Sequence, residues 1–105
     1  MKPLKAIYAQ GSPLIGLHHS SSVYANVLAA NTAESVTVPD GAKYVNFSAT
    51  ADFYAKFGGA AAVPANEVAD GSASVLNPGL RALDGAASIG LISAEVCIVT
   101  MEFFE

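Results

Sequence analysis

A chain of 105 residues has room for one compact core and not for two. Hydrophobic residues make up 52% of it and charged residues only 13%, a balance that excludes disorder and leaves little polar surface to cover a small body. The net charge is −4, and Lys2, Lys5, Lys43, Lys56 and Arg81 are scattered, so there is no basic stripe in the sequence to neutralise phosphates and nucleic-acid binding is not expected.

Residues 1–22 read as an extended N-terminal arm, and residues 23–105 as the folded domain. Leu4 to Ala9 could form a short strand, but Pro3, Gly11, Ser12, Pro13 and Gly16 break the segment, and His18-His19-Ser20-Ser21-Ser22 reads as a polar loop. The apolar stretch Ala6-Ile7-Tyr8-Ala9 stops far short of a signal core of ~7–15 residues. Nothing approaches ~18 consecutive apolar residues, so neither a signal peptide nor a membrane span is expected.

From Val23 onward the period is two. Val23, Ala25 and Val27 can share one face of a strand, and Val36 and Val38 alternate with Ser35 and Thr37. Pro39-Asp40-Gly41 is a turn, since proline presets φ and glycine accepts a positive φ. Val45, Phe47 and Ala49 then alternate with Tyr44, Asn46 and Ser48, and Phe53, Ala55 and Phe57 with Asp52, Tyr54 and Lys56. These two runs read as a hairpin or an adjacent pair forming one wall of the core. Ala60 to Leu83, punctuated by Pro64, Asp70-Gly71 and Asn77-Pro78-Gly79, reads as a long connection crossing between sheets, with one helical turn at most over Ala65–Ala69. Ser88–Ser93 is a further strand. Glu95–Phe104 is the last and longest, with Cys97, Val99, Met101 and Phe103 on one face.

Short strands separated by Gly, Pro and Asp turns, with no helical period, predict an all-β fold: a small β-sandwich, jelly-roll or Ig-like, or a barrel. The predicted core joins Val36, Val38, Val45, Phe47, Phe53, Leu91, Val99 and Met101.

No constellation points to catalysis or to a cofactor. Adjacent His18 and His19 cannot readily turn both rings to one metal, and no Cys or acid lies near in sequence to complete a site. Asp40, Asp70 and Asp84 each precede a glycine, which is turn chemistry rather than a calcium loop. Cys97 sits in an apolar run and reads as a small buried hydrophobe. There is no G-x-S-x-G elbow and no phosphate loop. Tyr44 and Tyr54 fall on the outward face if Val45 and Phe47 point inward, and exposed tyrosines serve protein interfaces or stack on sugars.

The stretch Val36-Thr37-Val38-Pro39-Asp40-Gly41-Ala42-Lys43-Tyr44-Val45-Asn46-Phe47 resembles small β-sandwich structural proteins of tailed bacteriophages and prophages. Ala62-Val63-Pro64-Ala65, Asp70-Gly71-Ser72, Leu76-Asn77-Pro78, Arg81 and Ser88–Ser93 fit the same style, so the resemblance spans roughly residues 34–104. It implies a non-catalytic virion component assembled in the host cytoplasm, one that binds and reinforces the capsid lattice as a decoration or cement protein. A neck or tail subunit is the nearby alternative, and a glycan- or host-surface-binding module using the tyrosines is a third. The implied partners are the major capsid protein or other virion subunits, with the chain a homo-oligomer in the particle and in contact with neither nucleic acid nor membrane. The expected contact residues are Leu4, Ile7, Tyr8, Leu14, Ile15 and Leu17 of the arm, Tyr44 and Tyr54 on the sheets, and Phe104 at the C-terminal edge.

Overall fold

The computed structural model describes residues 1–8 and 14–105. Among these there is no helix, and so none long and apolar enough to cross a membrane. Ten strands form in chain order: β1 (Ala6–Tyr8), β2 (Leu14–Leu17), β3 (Ser22–Leu28), β4 (Glu34–Thr37), β5 (Tyr44–Ala49), β6 (Tyr54–Phe57), β7 (Val75–Leu76), β8 (Leu80–Ala82), β9 (Ser88–Ile92) and β10 (Cys97–Phe104).

Strands β3 to β10 make two antiparallel four-stranded sheets, a larger one of longer strands ordered β3-β10-β5-β8 and a smaller one ordered β4-β9-β6-β7. The pairing follows a simple rule. β3 pairs with β10, β4 with β9, β5 with β8 and β6 with β7, so strands counted inward from either end of the run meet. The run is therefore one long antiparallel ribbon, rolled until β10 also meets β5 and β9 also meets β6. That is jelly-roll topology, and it decides among the architectures the sequence allowed. The body is a sandwich and not a closed barrel, because β3, β8, β4 and β7 remain edges.

Alternation places the core between the sheets. Val36, Val45, Phe47, Phe53, Leu91, Val99 and Met101 are buried in one cluster with Leu28, Ala55, Leu83, Ile89, Cys97 and Phe103, and Val38 packs against it half-buried. Phe47 packs in it with ring centroids 5.7 Å from Phe53 and 6.0 Å from Phe57. Phe57 belongs to the opposite sheet, and the hairpin or adjacent pair expected of the two strands is corrected. β5 and β6 lie in different sheets, and the chain crosses from one to the other over Thr50–Phe53. No residue there has the positive φ that a tight hairpin requires. Two inward phenylalanines meet across the core instead of side by side.

The turns follow their residues. Ala42 N–H donates to the Pro39 carbonyl at 3.2 Å, and Gly41 between them has φ of 84°, as a type II turn needs. Asn77 adopts a φ of 45° where the chain crosses between β7 and β8. Its side chain accepts from Phe53 N–H at 3.1 Å and donates to the Asp52 carboxylate at 2.9 Å, tying this crossing to the one beside it.

The arm is not simply extended. β1 and β2 pair with each other, Ala6 against Leu17 and Tyr8 against Leu14, and belong to neither sheet.

Candidate functional site

The hairpin is held to the body at its base. Residues before it continue the β3 side of the larger sheet beyond Ser22: Leu4 N–H donates to the Glu105 carbonyl at 3.1 Å and Glu105 N–H to the Lys2 carbonyl at 2.8 Å. Behind it, Ser20 is buried, its Oγ donating to the Phe103 carbonyl at 2.7 Å while accepting Ser22 N–H at 3.0 Å. His18 N–H closes the base on the Lys5 carbonyl at 3.1 Å. Replacing Ser20 by alanine should leave the Phe103 carbonyl short of a donor and cost about 1–2 kcal/mol, read as a lower denaturation midpoint in urea.

Charge is segregated around this base. Residues 1–22 hold Lys2, Lys5, His18 and His19 and no acid, so all nine Asp and Glu lie in the body. Lys2, Pro3, Lys5 and His18 line one shallow cleft, and Lys2 Nζ meets His19 Nε2 at 2.6 Å. An otherwise acidic molecule thus carries a cationic pole where its hairpin begins.

Of the expected contact residues, Leu4 is half-buried at this base and Leu17 is 41% exposed. Ile7, Tyr8, Leu14 and Ile15 belong to the hairpin by backbone pairing, and their side chains lie outside the described residues. Phe104 is corrected. It stands off the main core face, as alternation requires, yet it is 2% exposed and has no surface to give a partner. In register it lies opposite Tyr44 of β5, and the next residue, Glu105, is hydrogen-bonded to Lys2 and Leu4.

Tyr44 and Tyr54 are both half-buried, and they lie on the outer faces of different sheets. They face away from each other and cannot form one stacking platform.

A surface that the sequence reading left without a role is more exposed than either. Val23, Ala25 and Val27 do share a face of β3, but it is the outer one; Tyr24, Asn26 and Leu28 turn inward. Tyr24 packs edge-on against Phe103, with centroids 5.1 Å apart. Val23 and Val27 are 54% and 66% exposed, and Ile98 sits beside Val27 in the neighbouring strand. Period two alone cannot say which face of an edge strand is inward when both carry apolar residues.

Nothing described converges as a reactive centre. Among the described residues no three His, Cys, Asp or Glu side chains could hold one metal ion. Cys97 is fully buried, its Sγ 3.4 Å from the Ala51 carbonyl. The exposed Asp70 carboxylate accepts from the Ser72 hydroxyl and amide, which hold its pKa below the usual value. That is the chemistry of a turn.

Compared with known proteins, the chain matches no family model, no curated protein and no solved structure.

Proposed function

We propose that the chain is a non-catalytic structural subunit that docks on a repeating protein surface, of the capsid-decoration kind its sequence resembles. The observation behind this reading is the hairpin β1–β2. A two-stranded hairpin is marginal in water on its own, and this one is joined to neither sheet. A partner surface that covers it would supply the missing burial. The cationic base favours an acidic patch on that partner. The jelly roll adds support only by analogy, since viral coat domains and lectins share it with unrelated proteins.

The Lys5–His18 bond makes a clean test possible, because an Asn-Gly turn can replace residues 6–17 there and leave the base in place. The shortened chain should keep its β circular dichroism and unfold within a few degrees of the parent. Particles purified from cells making the parent chain should contain it in fixed ratio to the coat subunit, and particles made with the shortened chain should lack it. Absence of the parent chain from particles would refute the reading. Equal incorporation of both would move the contact off the hairpin. The position of the chain in the particle, by electron microscopy, separates capsid from neck or tail.

A further inference from the structure

We propose that β3 is a homodimerisation edge: two copies pair β3 against β3, antiparallel about a two-fold axis at Ala25, and join their larger sheets into one. The inference concerns the chain alone in solution and does not rest on the reading above.

Backbone direction comes first. The carbonyls of Ile98 and Phe104 accept from Thr50 and Lys43, on the β5 side of β10. Groups alternate along a strand, so the odd-numbered residues of β10 turn theirs toward β3, where Ser22, Tyr24, Asn26 and Leu28 lie opposite. The N–H and C=O groups of Val23, Ala25 and Val27 therefore point away from the sheet.

Edges are ordinarily blunted against pairing, and the other three are. β8 has three residues and carries Arg81, β7 has two and is followed by Asn77-Pro78, and β4 has four and begins with Glu34. β3 has seven residues without a charge or a proline, and the uncharged stretch runs on from Ser20 to Ala33.

The sequence of the edge selects the occupant. Val23 and Val27 are symmetric about Ala25, so antiparallel pairing there sets each Val23 against the partner's Val27. Tyr24 then lies against the partner's Asn26 on the inner face. The three outward-directed residues of each copy would exchange about six hydrogen bonds, in the geometry that a two-fold axis permits. The most exposed apolar residues of the edge then pack side by side with those of the second copy. No like charges meet along it, although each chain carries −4. Glu102, beside Val23 in the row, is turned toward β5, where Asn46 Nδ2 donates to it at 3.1 Å.

Sedimentation equilibrium of the purified chain should give a dimer. A25K, at an exposed position, should set two ammonium groups face to face and weaken the dimer at least tenfold with an unchanged circular dichroism spectrum. V23K should also weaken it, and V23K/V27E should restore it, because each new cation then opposes a new carboxylate across the axis. In the parent, amide exchange at Val23, Ala25 and Val27 should slow as concentration rises, and this measurement stands if a variant fails to fold. A monomer at millimolar concentration, a dimer indifferent to A25K, a V23K/V27E variant weaker than V23K, or concentration-independent exchange at those amides would each overturn the proposal.

Discussion

Phe47→Ala should destabilise the chain by about 3–5 kcal/mol, the usual cost of emptying a phenylalanine site in a core. The side chain is buried on β5 and packs against the rings of Phe53, at the end of the crossing, and Phe57, in the other sheet. Removing it opens a void where the two sheets meet, and neither can collapse into it without breaking its own ladder. For a domain of about 100 residues, each kilocalorie lowers the melting temperature by roughly 4–8 °C. The variant should therefore melt many degrees below the parent, or be unfolded at room temperature. A loss under about 1 kcal/mol would mean that Phe47 does not stand between the sheets.

The second large effect is expected at Gly90, and its cause is a backbone crossing. After β6 the chain doubles back over the outer face of the smaller sheet, at the middle of β9. A Cβ on Gly90 would run into the carbonyl oxygen of Gly59 and lie 2.7 Å from the Ala61 nitrogen. Main-chain atoms cannot swing aside as a side chain can, so Gly90→Ala must push the crossing segment off the sheet. The cost should be about 3 kcal/mol, at the upper end of overpacking. Gly59→Ala is the matched control. Its new methyl would meet only the flexible Lys56 side chain at 3.5 Å, and the change should stay within about 0.5 kcal/mol in the same urea titration. Equal effects at the two positions would show that the crossing is not tight.

The body was legible in the sequence where one face of a strand was apolar and the other polar. Val36, Val45, Phe47, Val99 and Met101 announced their phase, and all five are buried. Legibility failed where that contrast vanished. β3 carries valines outward and Tyr24, Asn26 and Leu28 inward, so its face depended on β10, a partner strand far along the chain. The link from β5 to β6 resembled a hairpin because both runs alternate, and only the absence of a Gly or Asn turn argued otherwise. β7 and β8 are too short to show any period. Gly90 had a weak signal, since a lone glycine within a strand often marks close approach of another backbone. What approaches it is a matter of long-range path. Of the expected contact residues, Leu4 and Leu17 lie at the base of a hairpin that the broken pattern of residues 1–22 did not announce. Phe104 shows that alternation assigns a face and not an exposure: its ring stands off the core face and is still 2% exposed.

β10 occupies the middle of its sheet, between β3 and β5, although it is made last of the eight. Synthesis therefore delivers the flanking strands long before the strand that unites them. Until residues 97–104 have been added, β3 and β5 have no common neighbour, and the two longest edges of the nascent chain stay open. Pairing near the ribbon's closed end, β6 with β7, spans the shortest loop and can form first; each later pair encloses a longer one. Time, then, is built into the topology: the segment richest in exposed valine is also the one that waits longest for its partner, and slow translation of the final residues would prolong the interval in which nascent copies can entangle.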